Sequence, residues 1–99
     1  MAVNRISWSK NATRQFEAAI RYIALDSFVN AEKVSEEILN ELARALKNPE
    51  FFPPDKYKQN NDGSYRAFEK NRYRVAYRFT NELIRVLRVR HTSREPKVY

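Results

Sequence analysis

The sequence predicts an α+β fold: an N-terminal β-strand, an antiparallel two-helix hairpin, then a three-stranded antiparallel β-meander completing a single sheet. Three observations predict it. Apolar residues recur at helical spacing through the first half of the chain, with one break. From Tyr65 onward the period becomes two. Between these regimes lies an aperiodic stretch, Asn48 to Tyr65, with three prolines and the only glycine of the chain.

Each element has a local cause. "VNRISW", Val3 to Trp8, alternates, with Ile6 and Trp8 on one side and Arg5 and Ser7 on the other, as a half-buried strand does. Ser9 supplies a helix N-cap. Ala12, Phe16, Ala19, Ile20 and Ile23 then mark one face of a helix from Lys10 to about Leu25. Asp26 and Ser27 break it, and Ser27 can cap the next. Phe28, Ala31, Val34, Ile38, Leu42 and Leu46 line the second helix, with Glu32, Glu36, Glu37 and Glu41 largely opposite. Pro49 ends it, because the residue before a proline is pushed out of the α region. The short connection makes the pair a hairpin.

In the loop, Phe51 and Phe52 are expected to staple the chain to the core, and Gly63 to take a positive φ. Arg66 to Lys70 reads as a strand, Asn71 as a tight turn, Tyr73 to Phe79 as the next strand and Leu83 to Arg90 as the last. Sequential hairpins are antiparallel. The first strand can add at a sheet edge or alongside the last strand. Helices on one face leave the other face open to solvent.

Ninety-nine residues are enough for one core, so residues 1–99 are read as one domain. Cysteine is missing and His91 is the single histidine, which removes disulfides and thiolate metal sites and leaves no basis for a zinc or iron enzyme. No apolar run approaches the roughly 18 residues of a membrane span. A soluble, cytoplasmic protein that uses no cofactor and no membrane is expected.

The net charge of +7 is unevenly spread: residues 1–25 carry +3, residues 26–50 carry −3 and residues 51–99 carry +7. A basic excess confined to the sheet-forming half points to an anionic partner. Strand parity puts Arg72, Arg74 and Arg78 on one face, opposite Tyr73, Tyr77 and Phe79, and Arg66 can join that face from the neighbouring strand. Arg88 and Arg90 share a face, with Arg85 on the other. Guanidinium forks at Arg72, Arg78, Arg88 and Arg90 suit phosphate oxygens of a nucleic acid or an acidic target.

Nucleophilic triads, P-loops and dinucleotide fingerprints do not occur. RNA cleavage through the 2′-hydroxyl needs a base, charge stabilisation at phosphorus and a proton donor. His91 at the end of the last strand can supply acid or base, arginines can stabilise the charge, and Tyr99 can stack on a base. A plain nucleic-acid-binding module is the reading without chemistry.

The opening "ISWSKNA", the helical hairpin and above all "RYRVAYRF" followed by "LIRVLRVRH" resemble the RelE/ParE superfamily of toxins from type II toxin–antitoxin modules. The resemblance covers nearly the whole chain. It implies a growth-inhibiting toxin held by a cognate antitoxin in a hetero-oligomer. In RelE-type members it implies cleavage of messenger RNA in the ribosome without a metal. The RelE-type pattern falls on Arg66, Arg74 and Tyr99, with His91 and Arg94 completing the working set. Its second basic sheet position falls on Phe68, and its tail arginine on Ser93, one residue before Arg94. ParE-type members keep the fold and inhibit DNA gyrase by binding. The pronounced helical hairpin and the ending "LRVRHTSREP" look more like that branch, in which the hairpin and the tail are the contact surface.

Overall fold

The structure, a computed structural model, describes residues 5–99. Val3 and Asn4 of the expected first strand therefore lie outside the described residues. The elements follow the expected order: β1 (Arg5–Trp8), α1 (Lys10–Ala24), α2 (Phe28–Lys47), β2 (Tyr65–Lys70), β3 (Tyr73–Phe79) and β4 (Leu83–His91). The four strands form one sheet in the order β1-β4-β3-β2. β2, β3 and β4 are antiparallel neighbours, and β1 lies parallel to β4 at the edge. The parallel pair is possible because everything from α1 to β3 lies between its strands, far more chain than a crossover needs.

Both helix starts are capped as the sequence indicates. The Ser9 hydroxyl accepts from the Ala12 N–H at 3.0 Å, and that of Ser27 from the Asn30 N–H at 3.1 Å. Ser9 also donates to the Leu87 carbonyl, and its N–H reaches the Val86 carbonyl, which fixes the start of α1 on β4. Ala31, Val34, Ile38, Leu42 and Ala45 bury one stripe of α2. They meet Val75, Tyr77, Ile84, Val86 and Val89 of the sheet in the core. Phe28 departs from the expected stripe. It sits in the first turn of α2, at the exposed end of the hairpin, and stays 69% exposed.

Only Phe52 of the loop pair enters the core, stacking on Phe68 with ring centroids 4.7 Å apart. Phe51 stays outside, edge-on to Phe52 and under Arg44. The wholly buried Tyr77 donates to the Pro49 carbonyl at 2.8 Å, tying the end of α2 to β3. Gly63 has φ +97°, as expected of the one glycine in the turn.

Three features of register differ from simple parity. Asn71 and Arg72 both have positive φ, so the β2–β3 connection is a two-residue turn of the mirror-image kind that suits strand twist. Arg72 thus belongs to the turn and not to a strand face. That turn sets Arg66 opposite Tyr77, and Phe68 opposite Val75. Directly paired residues project to the same side, so Arg66 lies on the helix face, away from Arg74. Thirdly, β4 carries a bulge: Ala76 pairs with Arg88, but Tyr77 pairs with Val86, leaving Leu87 as the extra residue. The bulge turns Arg85 to the same face as Arg88 and Arg90, and it lets Val86 and Val89 both face the core.

The sheet face away from the helices is also not fully open. Pro54 bridges to Arg66, Asp55 N–H donates to the Tyr65 carbonyl, and Ala67 N–H reaches Pro53. These bonds lay the loop along the free edge of β2. From there Asp55 and Tyr57, joined by Tyr99 of the tail (92–99), reach over the face to Arg74, on the side where Ala67 and Ala76 are buried side by side.

Candidate functional site

The centre of that covered face is Asp55. Two prolines hold the preceding chain extended along β2, which delivers the Asp55 carboxylate into the sheet with no exposed side-chain surface. One oxygen, Oδ1, accepts from Arg74 Nη2 at 2.8 Å and from the Tyr57 N–H at 3.1 Å. The other, Oδ2, accepts from the Tyr99 hydroxyl at 2.7 Å. Arg74 also donates through Nη1 to Glu69 at 3.1 Å, and its guanidinium lies over the Tyr57 ring at 4.8 Å.

Electrostatics follow from this geometry. Burial pushes the Asp55 carboxyl up, but the hydrogen bonds from Arg74, Tyr99 and the Tyr57 N–H, with the Arg74 charge, outweigh it and hold the group below its ordinary value. Burial, then the hydrogen bond to Asp55 and its charge, pushes the Tyr99 phenol well above the usual tyrosine range. Burial works against the Arg74 cation, yet Asp55 and Glu69 raise its pKa overall. Asp55 is a carboxylate, Tyr99 a protonated donor, and Arg74 an arginine whose charge is already met twice.

The tail is pinned beside this group. Tyr99 N–H donates to the Tyr57 carbonyl, and Gln59 N–H to the Tyr99 carbonyl. Arg88 lies over the Tyr99 ring at 4.0 Å and donates to the Lys97 carbonyl. Burial lowers the Arg88 pKa, with Tyr99 and Asp55 only partly offsetting it. Arg90 turns toward the Glu95 carbonyl, 3.4 Å away. Lys58 covers the Tyr65 and Tyr99 rings at 4.7 and 5.5 Å, and Arg78 covers Tyr65 at 5.1 Å.

The five residues of the expected cleavage set come together only in part: Arg74, His91 and Arg94 line one small cleft beside the tail, and Arg66 stands apart from it. Arg74 and Tyr99 meet only through Asp55. Arg66, on the other face, donates to the Gly63 and Phe52 carbonyls and pairs with Glu50 at 3.6 Å. His91 is opposite Tyr73 on the helix face, its ring edge-on to the tyrosine at 5.1 Å. Its Nδ1 accepts from the Ser93 N–H at 3.0 Å and lies 2.7 Å from the Ser93 hydroxyl. Along β3, the partners of Arg66 and His91 are four residues apart, about 13 Å at strand rise. Arg94 is exposed on the turn after His91. Of the other arginines, Arg78 is exposed, while Arg88 and Arg90 reach tail carbonyls.

Asp55, Tyr57 and Glu69 do not stand out in the sequence. The one signal for Asp55 is an acid directly after Pro-Pro in a strongly basic half, since a sheet of arginines needs an internal counter-charge. Among the described residues no group of acids and histidines has metal-site geometry, and no helix is long and apolar enough to cross a membrane.

A second surface lies at the tip of the helical hairpin. Tyr22, Leu25, Phe28 and Val29 are 73, 86, 69 and 77% exposed. Beside them an open groove of about 760 Å³ runs between the hairpin and the β2–β3 turn, lined by Tyr22, Leu25, Asn30, Arg72, Tyr73 and His91. Contiguous exposed apolar side chains rimmed by polar groups mark a surface for another macromolecule.

Residues 6–96 match the family model described as the ParE toxin of the type II toxin–antitoxin system, parDE. Among solved structures the chain is similar to a chromosomal ParDE toxin–antitoxin system from P. aeruginosa, with a TM-score of 0.65 and 16% identity, covering 92% of this chain and 96% of that one. No curated protein matches it.

Proposed function

The chain belongs to the ParE toxin family of type II toxin–antitoxin systems, and we propose that it arrests growth by binding DNA gyrase through the tip of its helical hairpin. The observation that carries this reading is the exposed cluster Tyr22, Leu25, Phe28 and Val29. Such side chains supply interface energy once water is excluded around them. The toxin makes and breaks no bond; gyrase's own cleaved-DNA state is held, and the toxin needs no cofactor. The toxin–antitoxin context supports an antitoxin as partner. An acidic or amphipathic antitoxin segment laid over the hairpin groove and its basic rim at Arg72 would conceal this surface while the antitoxin persists.

The separation of Arg66 from Arg74, and the engagement of Arg74 by Asp55 and Glu69, weigh against the ribosome-dependent cleavage of messenger RNA, because that chemistry needs its groups free and within reach of one substrate. Two assays decide between the mechanisms. With purified gyrase and relaxed plasmid, the toxin should block supercoiling and accumulate cleaved DNA. Primer extension on a translated message should show no new ends. Unimpaired supercoiling together with cuts on ribosome-engaged message would overturn the gyrase reading.

A further inference from the structure

Two pairs of arginines stand directly opposite one another on the sheet face away from the helices: Arg74 with Arg90, and Arg78 with Arg85. Like charges in that position, with Cβ atoms about 5 Å apart, work against strand pairing. The protein treats the two pairs differently. Arg74 is neutralised by Asp55 and Glu69, and Arg90 turns to a tail carbonyl. Arg78 and Arg85 have no carboxylate within ion-pair distance among the described residues.

Hydroxyls hold them instead. Arg85 Nη1 donates to Ser7 Oγ at 2.7 Å, and Arg78 Nε to Ser64 Oγ at 3.3 Å. Asp62 accepts from that Ser64 hydroxyl and lies near enough for its charge to act on Arg78, without forming an ion pair with it. The hydroxyls orient the guanidiniums without an ion pair to cancel their charge, Asp62 acting on Arg78 only from beyond ion-pair distance, and both arginines are exposed. Arg5, exposed on the same face and two residues from Ser7 along β1, extends the strip across three strands.

We propose that Arg78 and Arg85, oriented by Ser64 and Ser7 and extended by Arg5, bind the phosphodiester backbone of duplex DNA. Guanidinium forks match phosphate oxygens, and an anion laid across two such forks relieves the repulsion between them. A duplex fits better than a single strand. Unpaired bases need free aromatic faces, and the nearby Tyr65 and Tyr99 rings are already covered by Lys58, Arg78 and Arg88. An acidic protein segment fits less well, because none of the large exposed apolar side chains lies on β1, β3 or β4. Contact there is charge alone, which is what drives binding to a duplex.

This DNA contact is separate from gyrase binding, so its test contains no gyrase. The affinity of the full chain for a short labelled DNA duplex is measured by fluorescence anisotropy across a salt series. A single-stranded RNA and polyglutamate serve as competitors, and circular dichroism monitors the fold. The log–log salt slope of the wild type should fall by about two units in the Arg78→Gln/Arg85→Gln double variant, roughly 0.9 for each phosphate no longer neutralised. Arg14→Gln, on the exposed side of α1, should keep the wild-type slope. Arg85→Lys, which retains the charge, should keep the slope while binding more weakly. Equal slopes for wild type and double variant overturn the proposal. So does displacement of the duplex by RNA or polyglutamate at lower concentration than by unlabelled duplex.

Discussion

The Tyr99 hydroxyl donates a 2.7 Å hydrogen bond to Oδ2 of the buried Asp55, forty-four residues away in sequence. It joins the tail to the loop that covers the sheet, on the oxygen that Arg74 leaves free. Tyr99→Phe keeps the ring under Arg88 but leaves that carboxylate oxygen unpartnered. A hydrogen bond to a charged group contributes about 1.5–3 kcal/mol, so the urea midpoint should fall correspondingly. An unchanged midpoint would mean that the tail lies on the sheet without holding it.

Asp55 sets an acid limit on stability. Its carboxyl titrates below its ordinary value in the folded protein, so its contribution is complete above the unfolded value of about 3.9. That contribution is lost as pH falls through the lower folded value. Asp55→Asn should remove this part of the acid limb in a series of Tm against pH. It should also cost about 3–5 kcal/mol at neutral pH by stripping Arg74 of its buried partner. A mutant as stable as the wild type at pH 7 would show that Glu69 alone suffices for Arg74.

Tyr77 sets an alkaline limit. Burial pushes its phenol far above the ordinary value, so its protonated form stabilises the fold below the unfolded value of about 10. That stabilisation is lost as pH rises from there toward the folded value. Tyr77→Phe orphans the Pro49 carbonyl, at a cost of about 1–3 kcal/mol near neutrality. The substitution should also flatten the alkaline limb of the Tm curve. A limb of unchanged steepness would assign it to other tyrosines, Tyr99 first.

The hairpin tip should separate activity from stability. Leu25 and Phe28 are mostly exposed, and surface substitutions away from special features usually change stability by about 0.5 kcal/mol or less. Leu25→Ala/Phe28→Ala should therefore melt close to the wild type. It should need at least about tenfold more protein to inhibit supercoiling, if each side chain anchors by more than about 1 kcal/mol. Full potency in the folded double variant would move the gyrase contact elsewhere.

The local elements were legible in the chain because their causes are local. Ser9 and Ser27 cap, Pro49 stops a helix, and Gly63 takes the positive φ. The period of the apolar residues separates helix from strand. The arginine set was less legible, since parity counting assumes an unbroken strand. The bulge at Leu87 and the turn at Asn71 and Arg72 each shift register by one residue, and a one-residue shift moves a side chain to the other face.

By itself, the sequence determined the order of elements, the hairpin, the meander and the basic character of the second half, all from capping, periodicity and charge within short windows. Tertiary structure alone decided which arginines are free. Asp55 reaches Arg74 only because Pro53 and Pro54 lay the loop along β2, and Tyr99 reaches Asp55 only because the tail folds back over β4. Arg78 and Arg85 face each other because strand register brings them together, and among the described residues no carboxylate comes within ion-pair distance of either. A buried charge must be met by whatever the fold places within a few ångströms, and those distances depend on long-range pairing that no local window contains.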